Sequence, residues 1–189
     1  MKGVILAGGK GTRLHPLTRI TNKHLLPIYD RPMVTYAIEA LVNAGVTELM
    51  LVTGGTHAGE FFRLLGDGHA YGIDRLFYAY QEEEHLRHLG VAVVDGAGRV
   101  TEIVEKLSSP PSSYAVTGIY GYDRQVWDVV AGLEPSARGE LEITDVNNSY
   151  VERGEMESDV LEGFWGDAGE SIDAYYAVND HVRGNGANL

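Results

Sequence analysis

Short apolar runs alternate with amphipathic stretches along the first 80 residues of the chain. Lys2–Ala7 is an apolar run that ends at a Gly-Gly pair, which is typical of a buried strand, and Glu48–Thr53 and Arg75–Gln81 have the same character. Between these runs, apolar residues recur at helical spacing in Pro32–Ala44, and a shorter helix is predicted at Ala58–Leu65. This alternation predicts a parallel α/β sheet that binds ligands at the carboxyl ends of its strands.

The pattern changes in the second half of the chain. Val91–Asp95 and Val100–Lys106 are predicted strands that a Gly-Ala-Gly turn joins into a hairpin. Further strands are predicted at Tyr114–Asp123 and Met156–Leu161, and further helices at Arg124–Leu133, Glu140–Glu152 and Ser171–Val182. We therefore expect one α/β domain with a mixed, mostly parallel sheet over residues 1–182, followed by a flexible tail at 183–189.

The composition is that of an ordinary globular domain, since 44% of the 189 residues are hydrophobic and 22% are charged. The formal net charge of −12 argues against general binding to nucleic acid or to anionic membranes, so any phosphate must be held by a local basic site. The absence of cysteine excludes disulfides and thiolate metal sites. The apolar run before the first glycines is too short for a signal peptide or a membrane span, so a cytoplasmic location is expected.

A glycine-rich, basic turn follows the first strand. The sequence GGKGTR at residues 8–13 contains three glycines and two cations, and such a turn presents backbone N–H groups to an anion. It is not a P-loop, because Lys10 is followed by glycine. A dinucleotide-binding turn would need a third glycine and a ribose-binding acid, and the candidate acid, Asp30, lies in a proline-flanked turn. A tight turn without a ligand is the plainer alternative, but it does not require so many glycines and cations.

The segments LAGGKGTRLHPLT and NKHLLPI resemble the nucleotidylyltransferase signature of sugar-nucleotide pyrophosphorylases, and most closely that of glucose-1-phosphate thymidylyltransferases. Five later segments resemble family segments in the same order: YAYQEE, EIVEKL, YAVTGIYGYD, PSARGELEITDVNNSYVERG and FWGDAG. The resemblance implies a Rossmann-like nucleotidyltransferase fold, Mg²⁺ as cofactor, and dTTP or UTP with a sugar 1-phosphate as substrates. No nucleic acid or membrane partner is expected.

The resemblance also implies roles for individual residues. Arg13 and Lys23 would be catalytic, because cations on a preorganised loop neutralise the charge that develops on phosphate oxygens. Gln81 would read the pyrimidine base, and Asp167 would bind the metal. The remaining nucleotide-binding residues would be Leu6, Gly8, Gly9, Gly11 and Thr12. The sugar-phosphate-binding residues would be Gly90, Glu105, Lys106, Val116, Gly118, Arg138, Glu140 and Trp165.

Each match has a plainer explanation when it is taken alone. Gln81 fits a solvated strand end, and Asp167 fits a turn or an N-cap. Arg138 and Glu140 fit the start of a helix. Five matches in order over nearly the whole chain favour the family interpretation.

The sequence EEEHLRH places two histidines at i and i+3, a spacing that could suggest a metal-binding helix. However, it lacks the H-E-x-x-H pattern, and no third ligand is indicated.

The chain departs from the family pattern between Gln81 and Gly90. The family carries there a helix start that completes the base pocket and a central strand ending in L-G-D-N, whose aspartate binds Mg²⁺. Here only the eight residues 82–89 intervene, and no G-D-N occurs. At least about 30 residues, the length of a β-α-β unit, are therefore absent.

This loss predicts that Asp167 lacks its partner carboxylate and that the edge of the first strand is open. Low turnover and an obligate homo-oligomer that covers the edge are expected. The alternative is that Tyr114–Asp123 pairs with the first strand within one chain.

Two functions stay open at this point. The first is the formation of an NDP-sugar of the dTDP- or UDP-glucose type and pyrophosphate, which the intact turn, Lys23, Lys106 and Asp167 favour. The second is a nucleotide- or sugar-phosphate-binding or regulatory homologue without turnover, which the missing L-G-D-N strand favours. A truncated gene product without a physiological role is a third possibility. The sequence does not determine the base or the sugar.

Overall fold

The computed structural model of the chain describes residues 1–54, 57–81, 90–94, 100–105, 114–136 and 141–187. It divides into two compact units. One unit combines Met1–Glu84 with Gly163–Leu189, and the other consists of His85–Glu162. Among the described residues, no helix is long and apolar enough to cross a membrane.

The first unit is built on a parallel sheet. Its elements are β1 (Lys2–Ala7), β2 (Pro27–Ile28), β3 (Arg31–Pro32), α1 (Met33–Asn43), β4 (Glu48–Gly54), α2 (Ala58–Leu65), β5 (Arg75–Gln81) and the last helix of the chain, Ile172–Asn185. Strands β1, β4 and β5 are parallel in that order, which confirms the predicted alternation of strand and helix. The β2–β3 pair and three 3-10 helices, at Thr12–Leu14, Lys23–Leu25 and His69–Tyr71, were not predicted, because segments of two or three residues show no periodicity.

Helices α1 and α2 cover one face of the parallel sheet. Ile5, Leu49 and Leu51 alternate with outward-pointing residues along β1 and β4, and they pack with Ile38 of α1 and Phe61 of α2. All five side chains are almost completely buried. The main core of the first unit therefore lies on this face of the sheet.

The opposite face of the sheet carries exposed apolar side chains. Val4 and Leu6 of β1 are 53% and 65% exposed, and Met50 of β4 and Phe77 of β5 are 40% and 47% exposed. The strand register places Val4 beside Met50 and Met50 beside Phe77, so these side chains form one patch. Parallel sheets are normally covered on both faces, and no described helix of the first unit covers this one.

Strand β1 also lies at the edge of its sheet, because β4 is the only described strand that pairs with it. The strand predicted at Tyr114–Asp123 does not fill the gap within the described chain. It is limited to β8 (Tyr114–Ala115), which pairs with another strand. Gly118, at a φ of 80°, interrupts the extended backbone soon afterwards, so the prediction of a longer strand was wrong.

The second unit contains an antiparallel sheet. Its remaining elements are β6 (Gly90–Val94), β7 (Val100–Glu105), α3 (Val126–Gly132) and α4 (Ile143–Glu152), and the strand order is β7-β6-β8. Strands β6 and β7 pair as the predicted antiparallel hairpin, and α4 packs against β7. Together with the parallel sheet of the first unit, this confirms the mixed α/β class.

Three other element predictions need correction. Met156–Leu161 forms no strand, and its apolar side chains Val160 and Leu161 are exposed rather than packed on a sheet. Helix α3 begins two residues later than predicted, because the Asp123 side chain accepts a hydrogen bond from the Gln125 N–H and forms a turn. Helix α4 begins at Ile143, and residues 137–140 lie outside the described chain.

The last helix, α5 (Ile172–Asn185), runs three residues into the predicted tail. The Ser171 hydroxyl accepts a hydrogen bond from the Ala174 N–H at the start of the helix. Near its end, Arg183 pairs with Asp180 at 3.0 Å. These contacts stabilise both ends of the helix. The apolar pattern alone predicted an end at Val182, three residues too early.

The two faces of the parallel sheet predict unequal costs for the same substitution. Leu51→Ala removes a fully buried side chain and should lower the free energy of unfolding by about 2–5 kcal/mol. Leu6→Ala, on the neighbouring strand and the exposed face, should cost less than about 1 kcal/mol. Urea unfolding of both variants measures the difference. Equal losses would show that the Leu6 face is covered in solution.

Candidate functional site

The glycine turn leaves the carboxyl end of β1, as predicted. Gly9 and Gly11 have φ values of 90° and 60°, a region that favours glycine. A Cβ on Gly11 would lie 3.1 Å from Thr18 Cγ2 and 3.2 Å from Lys23 Cβ. The Thr18 hydroxyl donates to the Gly11 carbonyl at 2.7 Å. The turn is therefore packed directly on Thr18 and Lys23, and a side chain at Gly11 would displace it.

Arg13 is presented to solvent by a buried neighbour. It lies in the 3-10 helix Thr12–Leu14 and is exposed, whereas Leu14 is fully buried. The apolar cluster around Leu14 contains Leu26, Ile28, Ala168 and Tyr175. Because Ala168 and Tyr175 come from the end of the chain, this cluster brings the FWGDAG segment to the glycine turn.

Lys23 and Asp167 meet beside Gly169. A Cβ on Gly169 would lie 3.1 Å from Asp167 Oδ1 and 3.3 Å from Lys23 Nζ, and the Gly169 N–H donates to Asp167 Oδ1 at 2.8 Å. Burial lowers the pKa of Lys23, the Asp167 carboxylate acts in the opposite direction, and the Arg13 guanidinium lowers this pKa further. The structure thus brings Arg13, Lys23 and Asp167 together at the end of β1.

Asp167 offers one carboxylate to a metal ion. Within the described ranges, no group of three or more His, Asp or Glu side chains could hold an ion. Mg²⁺ commonly binds through one or two carboxylates, with waters and substrate phosphates as its other ligands. Asp167 therefore fits as a single protein ligand of an ion that phosphate oxygens complete.

The other predicted nucleotide-binding residues lie near the same edge of the sheet. Gln81 ends β5 opposite Gly54 of β4, at the carboxyl ends of the parallel strands. Gly8 is buried directly after β1, and Thr12 is exposed in the 3-10 helix. The Leu6 side chain, by contrast, lies on the exposed apolar face of the sheet.

The predicted sugar-phosphate residues belong mostly to the second unit. Gly90 and Glu105 are cross-strand partners in β6 and β7. Val116 is half-buried and Gly118 is exposed, and both follow β8. Trp165 of the first unit is 44% exposed, two residues before Asp167. Lys106, Arg138 and Glu140 lie outside the described residues, as do the two histidines of EEEHLRH.

Residues that hold this site together were not predicted. Thr18 and Asn22 are buried polar side chains, 6% and 4% exposed, that hydrogen-bond to the backbone of Gly11 and Ala7. Gly169 makes room for Lys23 beside Asp167. The sequence contains one signal for these residues. Asn22 directly precedes a short turn, and asparagine at that position commonly caps a helix.

His24 is a neutral residue beside this cluster. Burial and the neighbouring Lys23 charge lower the pKa of His24 to about 3, although a hydrogen bond to the Ala7 backbone acts in the opposite direction. Below its ordinary pKa of about 6.5, the unfolded chain binds a proton that the folded chain does not bind until about pH 3. Acidification through this range should therefore favour unfolding.

The measurable consequence is a pH-dependent difference between the parent protein and His24→Gln. Between about pH 6 and pH 4, the parent should lose up to about 1.4 kcal/mol of unfolding free energy per pH unit relative to the variant. Urea unfolding at a series of pH values measures this loss. A difference that is independent of pH would contradict the assignment of His24 as a neutral imidazole.

Comparison with known proteins identifies the family of this chain. The sequence profile described as Nucleotidyl transferase matches residues 2–88 and 73–185. The glucose-1-phosphate thymidylyltransferase of Actinoplanes sp. is 37% identical over 97% of this chain and 78% of its own length. The one from Mycolicibacterium smegmatis is 34% identical over 97% of this chain and 82% of its own length.

Solved structures show the same fold. A Bacillus anthracis protein assigned as a glucose-1-phosphate thymidylyltransferase, in complex with sucrose, superposes with a TM-score of 0.88 at 34% identity, over 97% of this chain and 95% of that one. A UDP-glucose pyrophosphorylase in complex with UDP-glucose superposes with a TM-score of 0.79 at 18% identity, over 97% of this chain and 98% of that one. These superpositions confirm the predicted Rossmann-like nucleotidyltransferase fold.

The alignments also confirm the internal deletion. The Actinoplanes alignment spans 239 positions, whereas 97% of this 189-residue chain is about 183 residues, so about 56 positions have no counterpart here. The two matches to the family profile overlap at residues 73–88, next to the point where the sequence departs from the family pattern. The chain belongs to the nucleotidyl transferase family and lacks an internal segment that its relatives contain.

Proposed function

We propose that this chain transfers a nucleotidyl group from dTTP or UTP to a sugar 1-phosphate, which yields an NDP-sugar of the dTDP- or UDP-glucose type and pyrophosphate. The observation that carries the proposal is the cluster of Arg13, Lys23 and Asp167 beside the glycine turn. The names of the relatives, glucose-1-phosphate thymidylyltransferases, support the substrate class.

The proposed reaction is an in-line displacement at phosphorus. A phosphate oxygen of the sugar 1-phosphate forms a bond to the α-phosphorus of the nucleotide. The bond between that phosphorus and the oxygen bridging to the β-phosphate breaks, and pyrophosphate leaves with the electron pair. Backbone N–H groups of the glycine turn hold the triphosphate. Arg13 and Lys23 neutralise the charge that develops on the departing pyrophosphate.

Lys23 suits this role because an anion would relieve the cost of its burial. The pKa of its ammonium is lowered mainly by loss of solvent, and a triphosphate beside it would favour the charged form. Mg²⁺, held by Asp167, would supply further neutralisation of the phosphate charges. With one carboxylate at the site among the described residues, we expect weaker metal binding and slower turnover than in relatives that carry two.

The base and sugar contacts are proposed from the family resemblance. Gln81 would read the pyrimidine, and its place at the carboxyl edge of the parallel sheet supports this role. The cross-strand pair of Gly90 and Glu105 supports a common function for these two residues. The other residues proposed for the sugar phosphate are Lys106, Val116, Gly118, Arg138, Glu140 and Trp165. A cytoplasmic location stays a prediction.

The second candidate function is binding without turnover. The specific observation that favours it is the absent internal segment, since about 56 aligned positions of a relative have no counterpart here. If the lost segment carries the second metal carboxylate, the glycine turn and Lys23 could still bind a nucleotide without transferring it. The same assay separates the two functions.

Pyrophosphate release from dTTP or UTP with glucose 1-phosphate tests the proposed activity. We expect slow release that requires Mg²⁺ and stops when the ion is chelated. Arg13→Ala should lower the rate by about 10²-fold, because it removes a cation that faces the developing charge. Arg19→Ala, an exposed arginine after the same turn, is the matched control and should retain the parent rate.

No release by the parent, alongside normal release by a relative that contains the missing segment, would contradict turnover and support the binding function. Equal rates for Arg13→Ala and the parent would show that Arg13 does not act at the site.

Lys106→Ala should raise the concentration of sugar 1-phosphate needed for half-maximal rate while leaving that of the nucleotide unchanged.

We also infer a homo-oligomer in which the β1 edge of one copy pairs with the β1 edge of another. The β1 edge, which pairs with no described strand, and the exposed side chains of Val4 and Leu6 support this arrangement. An antiparallel pairing about a two-fold axis places the two copies of Lys2 at opposite ends of the contact, whereas a parallel pairing would place these like charges side by side.

The cysteine-free chain allows this pairing to be tested with single thiols. Opposite residues of an antiparallel pair have Cα atoms about 4.5–5.5 Å apart, which is within disulfide range. A mixture of Val4→Cys and Leu6→Cys proteins should form cross-linked dimers under oxidation, and Ile20→Cys, an exposed position off the sheet, should not. A folded protein that sediments as a monomer at every concentration, with no excess cross-linking at β1, would contradict the inference.

A further inference from the structure

We propose that Asn22 is a positioning residue for Lys23, because its buried side chain fastens the 3-10 turn Lys23–Leu25 to the last residue of β1. This inference rests on the proposed function, in which Lys23 acts on the triphosphate. Asn22 itself faces away from solvent, with only 4% of its surface exposed. It therefore acts through its neighbours rather than on a substrate.

The Asn22 carboxamide joins two elements of the first unit. Its Nδ2 donates to the Ala7 carbonyl at 2.9 Å, across 15 residues of sequence. Its Oδ1 accepts from the His24 N–H at 2.8 Å and lies 2.9 Å from His24 Nδ1. One side chain thus holds the end of β1 on one side and the start of the Lys23 turn on the other.

The chemistry of the partners fixes the orientation of the amide. A backbone carbonyl only accepts, so the amide nitrogen must face Ala7, and the backbone N–H of His24 only donates, so the amide oxygen must face His24. The contact of this oxygen with His24 Nδ1 then requires a hydrogen on that ring nitrogen. The neutral His24 ring is consequently held in one orientation by the same side chain.

Lys23 lies between these two fixed residues, and its own side chain has little room. Its Cβ is close enough to Gly11 to contact any side chain placed there, and its Nζ approaches Gly169 beside Asp167. A small rotation of the turn would therefore move the ammonium away from Asp167 or drive the stem against the glycine turn. Asn22 prevents that rotation, since it ties the turn to the strand from which the glycine turn starts.

The plainer explanation is that Asn22 only caps the turn. An N-cap contributes about 1 kcal/mol to stability and would not change the surroundings of the Lys23 ammonium. Asn22→Ser separates the two roles, because serine is also a good N-cap but is too short to reach the Ala7 carbonyl. Asn22→Ala removes both contacts.

Asn179 offers a matched control. Its Nδ2 donates to the Tyr175 carbonyl at 2.9 Å and its Oδ1 accepts from the Tyr29 N–H at 2.7 Å, so it also joins two backbone segments of the first unit. Neither hydrogen bond involves Lys23, Asp167 or the glycine turn. Asn179→Ala therefore reports the effect of losing an amide link without disturbing the site.

Zero-length carbodiimide cross-linking of Lys23 to Asp167, followed by peptide mass spectrometry, tests the proposal without requiring turnover. In the parent and in Asn179→Ala, the Lys23 ammonium lies beside the Asp167 carboxylate, so the cross-link should form to the same extent in both. In Asn22→Ser and Asn22→Ala, its yield should fall at least about threefold, because the turn that carries Lys23 is no longer tied to β1. In the pyrophosphate assay, kcat of Asn22→Ser should fall about tenfold or more while Asn179→Ala keeps the parent value.

Equal yields of the Lys23–Asp167 cross-link in the parent and in folded Asn22→Ser would overturn the proposal and leave Asn22 as a cap alone. An equal loss in Asn179→Ala would also overturn it, because the effect would then reflect general loosening of the unit. If the parent has no turnover, a loss of the cross-link confined to the Asn22 variants would support the positioning role and contradict the proposed function. The positioning role of Asn22 and the proposed nucleotidyl transfer can therefore be contradicted independently.

Discussion

The removal of Lys23 from solvent is the constraint on which the candidate site depends. A partly buried ammonium is costly unless something of opposite charge faces it, and the lowered pKa of Lys23 records that cost. The Asp167 carboxylate compensates part of this cost. The nearby Arg13 guanidinium adds to the cost rather than relieving it. Among the described residues this cluster has two cations and one carboxylate, so it favours an anion, and the glycine turn beside it provides N–H groups for the same anion.

Several separate features of the fold serve this arrangement. Gly11 and Gly169 keep the space around Lys23 clear, and Asn22 fixes the turn that carries it. The buried Leu14 anchors the glycine turn to the segment that contributes Asp167. The first and last parts of the chain therefore meet at the carboxyl end of β1, where ligands of parallel α/β sheets commonly bind. An anion-binding cluster at that place follows from the packing as much as from the charges.

How much could be predicted from sequence depended on the range of the interactions involved. β1, α2 and β5 were placed correctly because their apolar periodicity is a local property of the chain. Tyr114–Asp123 was predicted as one strand because its residues favour strands, but the left-handed backbone at Gly118 is incompatible with a continuous one.

The site showed the same division between local motifs and distant contacts. The glycine turn, Lys23 and Asp167 could be identified from motifs. Asn22 contacts Ala7, and Lys23 contacts Gly169. Both contacts join residues that are distant in sequence, so no local sequence pattern predicts them.

Calorimetric titration of the parent protein with dTTP and with thymidine, each at several salt concentrations, measures whether the phosphates are held at the end of β1. If the cations and the glycine turn at the end of β1 form an anion site, dTTP should bind far more tightly than thymidine, and its affinity should fall as the salt concentration rises. Equal affinity for dTTP and thymidine, or an affinity for dTTP that does not change with salt, would show that the phosphates are not held there.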